Sequence, residues 1–246
     1  LNSSDIIVQL RMLSDDQTLN LKENQTLSGV LNPYDNREQL DNIAKKKINL
    51  FSLELLPRIT RAQSMDILSS QANLAGYKSV ILAANYFNGY FPMLTTAAGT
   101  VPPAKVLILG AGVAGLQAIA TAKRLGAVVE VFDVRQAVKE EVESLGAKFI
   151  MVEGLQNDSD TGGYAIAQKK NELVAQRKLI HQKAIKADIV ITTASIPGKP
   201  APRLIEKNTV DDMKSGAVII DLSAESGGNC DCLLYTSPSP RDRQKS

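Results

Sequence analysis

The amino-acid sequence predicts an α/β fold in which a doubly wound parallel sheet follows the remnant of a second α/β domain. Short apolar runs alternate with longer segments of helical periodicity, which is typical of parallel strands joined by helices. A glycine cluster lies between one such strand and the helix after it, in "VLILGAGVAGLQAIATAKRLG". An acidic residue ends the next strand, in "VFDVR". These observations together predict a ligand site at the carboxyl edge of the sheet.

The second half of the chain contains the predicted doubly wound sheet. Its strands are expected at 106–109, 128–132, 148–152, 189–193 and 217–222, and its helices near 112–125, 137–145, 164–186 and 203–213. A sixth strand would normally complete such a sheet, and none is recognisable after residue 222. We therefore expect this domain to be incomplete.

The first half predicts fewer elements. Strands are expected near 6–10, 26–31 and 48–53, with a helix over 37–47. Residues 61–87 lack proline and repeat apolar residues three and four apart, which predicts one long helix or two, and residues 95–105, with two prolines, predict a loop. The predicted domains are a remnant at 1–65 and the doubly wound domain at 66–231.

Both ends of the chain are expected to be truncated. The sequence begins with Leu1, and "DIIVQL" from Asp5 has the pattern of a strand. Residues 232–246 share no periodicity with the preceding segment and resemble the translated read-through of a sequencing-library adapter. We expect these last residues to be such a scar and exclude them from the fold prediction.

Composition excludes several classes of protein. With 28 basic and 26 acidic residues and no basic stripe, the chain lacks the charge distribution of a nucleic-acid-binding protein. No apolar run approaches the roughly 20 residues of a membrane-spanning helix. Cys230 and Cys232 are too close together to form a disulfide framework, which favours a reducing compartment.

Gly110, Gly112 and Gly115 form a G-x-G-x-x-G motif between a strand and a helix. The first glycine allows a tight turn, the second lets a pyrophosphate approach the backbone, and the third lets helix and strand pack closely. The N-terminus of the helix favours an anion through its free N–H groups and its dipole. The motif therefore predicts a Rossmann-type dinucleotide site. A glycine-rich turn that binds nothing is the alternative.

Asp133 ends the next predicted strand, eighteen residues after Gly115. A carboxylate at this place accepts hydrogen bonds from ribose hydroxyls and repels a 2′-phosphate, so it selects NAD over NADP. Arg135 complicates this prediction because arginine can bind a 2′-phosphate. With Asp133 present, we expect Arg135 to cover the adenine face or to be solvated, and NAD to be the cofactor.

Several longer stretches resemble the NAD(H)-binding component of proton-translocating NAD(P) transhydrogenases, within the alanine dehydrogenase/transhydrogenase superfamily. The stretches are "PRITRAQSMDILSSQANLAGY" from Pro57, "TAAGTVPPAKVLILGAGVAGLQAIATAKRLGA", "DVR" at Asp133, "TGGYA" at Thr161, "TTASIPGKPAP" at Thr192 and "DLSAESGGNC" at Asp221. Among these, "RAQSMD" is more specific than the glycine motif. The resemblance extends over nearly all of residues 5–230.

The resemblance implies a component that binds NADH and passes hydride to NADP held by a partner domain, while a membrane-spanning partner couples the transfer to proton movement. It also implies a homodimer, and a location at the cytoplasmic face of a bacterial plasma membrane or the matrix side of the mitochondrial inner membrane. Transfer between two nicotinamide rings requires no acid, base or metal, only close and dry approach.

The resemblance also implies site residues. Those near the nicotinamide are Arg58, Gln63, Asp66 and Ser69, and those that bind the rest of the cofactor are Gly110, Gly112, Val113, Ala114, Gly115, Asp133, Val134, Arg135, Gly163, Gln176 and Ser195. Ser195 departs from the family pattern, which usually has an apolar residue there, so the resemblance implies a backbone contact with the cofactor at this position but not side-chain packing on it.

The residues assigned to the nicotinamide end have structural alternatives. Gln63 forms T-x-x-Q with Thr60, which is a capping box at a helix start. Asp66 and Ser69 are three apart on a helix and share a face, so they either fix the carboxamide or are merely solvated.

Two other functions remain open. The first is a soluble NAD-dependent alanine dehydrogenase, which needs a lysine and a histidine in its first domain, whereas residues 1–65 contain no histidine. The second is a module that senses NAD without turnover, against which the set of Arg58, Gln63, Asp66 and Ser69 argues.

Overall fold

A computed structural model describes residues 3–57, 59–152, 170–196 and 198–231 of this chain. It divides into two compact units, residues 1–71 and 72–246. The segment 232–246, predicted to be an adapter scar, lies outside the described residues.

The first unit contains a three-stranded parallel sheet in the order β1-β2-β3. Its elements are β1 (Ile6–Gln9), α1 (Asp15–Leu19), β2 (Thr26–Gly29), α2 (Arg37–Ala44) and β3 (Asn49–Ser52). The three strands and α2 begin and end within three residues of the predicted bounds. Ile7 and Leu27 of the sheet form a buried apolar cluster with Ile43 of α2. The predicted α/β character of this half of the chain is confirmed.

Helix α1 was not predicted, because five residues are too few for a periodic pattern. A capping box starts it: the backbone N–H of Gln17 donates to Ser14 Oγ at 3.3 Å, and Gln17 Oε1 accepts the backbone N–H of Ser14 at 3.1 Å. Both donors would otherwise be unsatisfied at a helix start. The S-x-x-Q pattern was therefore a usable signal for this helix.

The segment predicted as one long helix or two begins with a 3₁₀ helix over Thr60–Met65 and continues as α3 (Ile67–Tyr86). Asp66, between them, is extended with ψ 90° and interrupts the helical backbone.

The predicted loop at 95–105 contains a short antiparallel hairpin, so that prediction was wrong. Its strands are β4 (Leu94–Thr96) and β5 (Gly99–Val101). The Thr96 hydroxyl accepts the Ala98 N–H at 3.2 Å and stabilises the turn. Three-residue strands are too short to show the alternation that predicts a strand.

The second unit contains a five-stranded, fully parallel sheet in the order β10-β9-β6-β7-β8. Its elements are β6 (Lys105–Leu109), α4 (Val113–Arg124), β7 (Val128–Phe132), α5 (Lys139–Ser144), β8 (Lys148–Ile150), α6 (Lys170–Ala184), β9 (Ile189–Thr192), α7 (Lys207–Asp211) and β10 (Val218–Asp221). The chain builds outward from β6 through β7 to β8 and then returns to the other side of β6. This confirms the predicted doubly wound fold and places its switch point between β6 and β9.

Strand β6 is buried on both faces. Val106 and Ile108 belong to one apolar cluster with residues of α3 and α4, while Leu107 and Leu109 belong to another with residues of α6. Helices on both sides require such a continuous apolar run in a parallel strand. Across the described residues, no helix has the length and apolarity needed to span a membrane.

Candidate dinucleotide-binding site

The glycine motif forms the turn between β6 and α4. Gly110 has φ +106°, a backbone conformation that favours glycine, and its N–H donates to the carbonyl of Phe132 in β7 at 2.8 Å. Gly112 is extended and precedes the first turn of α4. The turn therefore lies at the switch point, where ligands of such sheets bind.

The three glycines meet different surroundings. A Cβ atom on Gly115 would lie 2.0 Å from the carbonyl oxygen of Gly110, and one on Gly110 would lie 2.5 Å from the hydroxyl of Thr193. A Cβ atom on Gly112 would have no atom within 4 Å among the described residues. Gly110 and Gly115 are therefore required by the packing of the protein itself, whereas Gly112 faces open space.

The exposed backbone at the start of α4 is suited to an anion. Gly112 and Val113 are exposed and Ala114 is half-buried. The first N–H groups of a helix have no partner within the helix, and its dipole is positive at this end. Such a place suits a phosphate group, and phosphate binding here stays a prediction.

Gly76 of α3 approaches the same turn and was not singled out by the sequence. A Cβ atom there would lie 2.1 Å from the carbonyl oxygen of Ala114, so only glycine allows this close contact. The nearby Asn73 donates to Gln117 of α4 at 3.1 Å. Helix α3 thus contacts the first turn of α4.

Asp133 lies directly after β7, and its side chain is almost completely buried beside the glycine turn. Its Oδ2 accepts the backbone N–H of Ala111 at 2.7 Å, and its Oδ1 accepts the backbone N–H of Arg135 at 2.8 Å. The predicted ribose-binding carboxylate is therefore tied to the glycine motif, twenty-two residues away in the chain.

Arg135 forms a two-point ion pair with Asp133 that the sequence did not predict. Its Nε and Nη2 atoms each lie 3.0 Å from a carboxylate oxygen of Asp133. The hydrogen bond with Asp133 raises the pKa of the Arg135 guanidinium, while burial acts in the opposite direction. The guanidinium thus neutralises much of the negative charge at this position. Val134, between the two residues, packs against the apolar cluster on the α6 face.

The loop after β9 lies at the same edge of the sheet. Ala194 accepts hydrogen bonds at its carbonyl from Ser223 Oγ at 2.8 Å and from Asn229 Nδ2 at 2.9 Å. Asn229 is fully buried, and its Nδ2 also donates to the carbonyl of Pro202 at 2.8 Å. Ser195, next to this anchor, is exposed. The loop is therefore held by its backbone whatever side chain stands at position 195.

Three residues assigned to the nicotinamide end are described by the structure, namely Gln63, Asp66 and Ser69, and they belong to the first unit. Gln63 is exposed on the 3₁₀ helix, which begins after Ile59 and has no side-chain cap among the described residues, so the capping-box alternative with Thr60 was wrong. Asp66 instead caps α3: its Oδ1 accepts the Ser69 N–H at 3.0 Å and its Oδ2 accepts the Ser69 hydroxyl at 2.6 Å. The prediction that Asp66 and Ser69 share a face is consistent with this contact.

Of the remaining predicted site residues, the structure describes Gln176 but not Arg58 or Gly163. Gln176 is buried on α6, with 3% of its surface exposed. Within the second unit, the carboxyl edge of the sheet thus brings together the glycine turn, Asp133, Arg135 and the loop after β9. This arrangement can bind a diphosphate at the helix start and hydroxyl groups at the carboxylate.

Comparison with known families agrees with this geometry. Family models described as "Alanine dehydrogenase/PNT, N-terminal domain" and "Alanine dehydrogenase/PNT, C-terminal domain" match residues 1–75 and 79–244. The chain belongs to the alanine dehydrogenase/PNT family. The resemblance predicted from the sequence is confirmed.

Within the alanine dehydrogenase/PNT family, the chain is more similar to the transhydrogenases of two bacteria than to the alanine dehydrogenase of a third. It is 52% identical over 237 residues to an NAD(P) transhydrogenase alpha-subunit polypeptide of Rhodospirillum rubrum, and the match covers 94% of this chain and 62% of that protein. A solved transhydrogenase structure from Sinorhizobium meliloti matches with a TM-score of 0.79 and 47% identity, over 94% of this chain and 62% of that one. The alanine dehydrogenase of Mycolicibacterium smegmatis is 24% identical over 244 residues, which are 98% of this chain and 59% of that protein.

Proposed function

We propose that this chain is the NAD(H)-binding component of a proton-translocating NAD(P) transhydrogenase. It spans about 62% of the length of the Rhodospirillum relative, so the activity proposed belongs to the whole protein. The observation that carries the proposal is the hydrogen bond from Ala111 to Asp133, which joins the carboxylate proposed to bind the ribose to a glycine turn that is open at Gly112 among the described residues. The 52% identity to a transhydrogenase subunit supports the reaction.

The chain's residues fit a dinucleotide. The N–H groups at Gly112, Val113 and Ala114 would bind the pyrophosphate, because these residues are exposed or half-buried and, in the part of the chain that the structure describes, no side chain covers Gly112. Asp133 would accept the hydroxyl groups of the adenosine ribose. Gly110 and Gly115 shape the turn, and Val134, Gly163 and Gln176 are proposed from the family resemblance to complete the cofactor site.

Selection of NAD over NADP is proposed to depend on the Asp133 carboxylate. A 2′-phosphate would place negative charge beside it, whereas a free hydroxyl donates to it. Arg135 moderates this selection because its guanidinium already pairs with the carboxylate at 3.0 Å. We therefore propose that Arg135 sets how strongly the site rejects NADPH.

The nicotinamide ring supplies the hydride chemistry when the cofactor is bound. We propose that Arg58, Gln63, Asp66 and Ser69 orient its carboxamide end and that the loop at Ser195 lies against the cofactor. None of these residues needs to move a proton, because transfer between two rings depends on distance and orientation. The exposed amide of Gln63 is available for this role, whereas the Asp66 carboxylate also caps α3.

The proposed partners follow from the relatives. NADP would be held by a separate domain, a membrane-spanning component would couple transfer to proton movement, and the NAD(H)-binding component would be a homodimer. The proposed location is the cytoplasmic face of a bacterial plasma membrane or the matrix side of the mitochondrial inner membrane. The chain itself is not expected to bind nucleic acid.

An alanine dehydrogenase is the second candidate, since that enzyme shares the family. The identity of 24% to the Mycolicibacterium enzyme, against 52% to the Rhodospirillum subunit, favours the transhydrogenase. A module that only senses NAD is the third candidate, and no observation favours it.

The test is an assay of the full-length gene product with its encoded partner subunits in membranes. Transfer of hydride from NADH to NADP, coupled to proton movement across the vesicle membrane, is the expected result. Oxidation of NADH that depends instead on pyruvate and ammonium would establish an alanine dehydrogenase. Tight NADH binding with neither activity would leave the sensing module.

A further inference from the structure

Thr193 has no role so far and lies directly after β9, beside the glycine turn. Its hydroxyl lies 3.1 Å from the carbonyl oxygen of Gly110 and 3.4 Å from that of Leu109. Its backbone N–H already continues the strand pairing by donating to Leu109 at 2.8 Å. The hydroxyl contact is therefore additional to the sheet.

The peptide group between Gly110 and Ala111 is held from both sides, by Thr193 and by Asp133. The carbonyl of the Gly110–Ala111 peptide accepts from the Thr193 hydroxyl at 3.1 Å, and its N–H donates to Asp133 at 2.7 Å. The two side chains follow β9 and β7, the strands on either side of β6. A peptide next to glycine is free to rotate, so these two bonds fix an otherwise permissive position.

The hydroxyl also occupies the space that the first motif glycine leaves. A Cβ atom on Gly110 would lie 2.5 Å from Thr193 Oγ1, whereas one on Gly115 would clash with the Gly110 carbonyl oxygen instead. At Gly110 the motif therefore makes room for a hydroxyl of the protein, whereas at Gly112 it leaves open space among the described residues.

We propose that Thr193 is a positioning residue of the phosphate subsite. By fixing the Gly110–Ala111 peptide, its hydroxyl sets the direction of the N–H groups that follow at 112–114. It acts through the glycine turn and needs no contact with the dinucleotide. The proposal rests on the proposed function, because it assumes that this turn binds the pyrophosphate of NADH.

The chain offers a matched control at the preceding position. Thr192 is fully buried at the end of β9, and its hydroxyl has no hydrogen-bond partner among the described residues. Thr192→Val and Thr193→Val both replace a hydroxyl by a methyl group of similar size. Only the second substitution removes a hydrogen bond to the glycine turn.

The experiment compares the full-length gene product with its Thr193→Val, Thr193→Ser and Thr192→Val variants. Dissociation constants for NADH, ADP and adenosine are measured by calorimetry, well below the Tm of each variant. Thr193→Val is expected to weaken the binding of NADH and of ADP about tenfold, the effect expected for loss of a part-buried hydrogen bond. Thr193→Ser keeps the hydroxyl, so its dissociation constants for NADH and ADP are expected to stay within about threefold of the parent values. Thr192→Val is expected to bind both ligands as the parent does. Adenosine has no phosphate, so its affinity is expected to be equal in all four proteins.

An unchanged ADP affinity in Thr193→Val overturns the proposal. Equal losses for ADP and adenosine also overturn it, because they indicate general damage to the site. If Thr193→Val does not fold, Thr193→Ala replaces it and must bind ADP more weakly than Thr193→Ser does. If the parent protein does not bind NADH, the proposed function is refuted. If the parent binds NADH and Thr193→Val binds it equally well, only the proposed role of Thr193 is refuted.

Discussion

The Asp133 carboxylate binds the backbone N–H of Ala111 at 2.7 Å, so the residue proposed to select the cofactor also supports the glycine turn. We expect Asp133→Ala to weaken NADH binding and to narrow the preference for NADH over NADPH, because the ribose loses its acceptor and a 2′-phosphate loses its repulsion. Calorimetry with both nucleotides on the full-length protein measures this. Equal binding of NADH and NADPH by the unsubstituted protein would refute the assignment.

Substitution of Arg135 is expected to change the preference for NADH over NADPH in the opposite direction to Asp133→Ala. Arg135→Gln removes the cation paired with Asp133 and leaves a more negative site, so NADPH should bind more weakly and the NADH preference should rise. Arg135→Lys retains the charge and serves as the control. The ratio of the two dissociation constants is the measurement, and a ratio that falls in Arg135→Gln would show that Asp133 does not repel the phosphate.

The motif glycines should respond differently to alanine. Gly115→Ala places a Cβ 2.0 Å from the Gly110 carbonyl oxygen, which forces the backbone apart. This substitution should lower the free energy of unfolding by about 3 kcal/mol. The Cβ atom of Gly112→Ala would meet no atom of the described residues within 4 Å, so this substitution should cost less than about 1 kcal/mol of stability, yet it should greatly weaken ADP binding. Chemical denaturation and calorimetry on both variants give these two quantities. Equal losses of stability would contradict the geometry described.

Gln63 is expected to affect transfer more than binding. If it orients the nicotinamide, Gln63→Asn should lower hydride transfer by at least about tenfold while NADH affinity stays within a few-fold, since small misplacements of reacting atoms are costly. Stopped-flow transfer to NADP with the partner domain present, beside a thermal melt, makes the comparison. An unchanged rate per folded molecule would remove Gln63 from the site.

Asp66 is expected to stabilise α3 through its bonds to Ser69. Asp66→Ala removes the cap and should lower the free energy of unfolding by about 1 kcal/mol. Asp66→Asn keeps an oxygen that accepts the Ser69 N–H and should cost less than about 0.5 kcal/mol. Urea denaturation of the two variants is the test, and identical losses would show that the carboxylate charge matters more than the cap.

Much of the second unit was predictable because its signals are local. The strand at 106–109 is a continuous apolar run and the strand at 128–132 is apolar except for Glu130. The glycine motif follows a strand directly, so the turn and Asp133 could be placed from the sequence alone. The fold class followed from the same alternation of strands and helices.

The contacts that shape the site were not predictable, because they join residues far apart in the chain. Thr193 contacts Gly110, which lies 83 residues earlier in the chain. Gly76 of α3 lies against Ala114 of α4. The pair between Asp133 and Arg135 is local, yet it depends on a side-chain conformation that spacing does not specify. The hairpin at 94–101 escaped prediction because its strands are too short for a pattern.

Strand β6 lies in the middle of the sheet with apolar packing on both faces, and this has a thermodynamic consequence. Its amides should be among the slowest in the chain to exchange with deuterium, since opening them requires breaking the whole sheet. The glycine turn begins where this strand ends, so it is ordered before any nucleotide arrives. Association should therefore lose little conformational entropy at this turn, and its strength should depend mainly on contact with the phosphates.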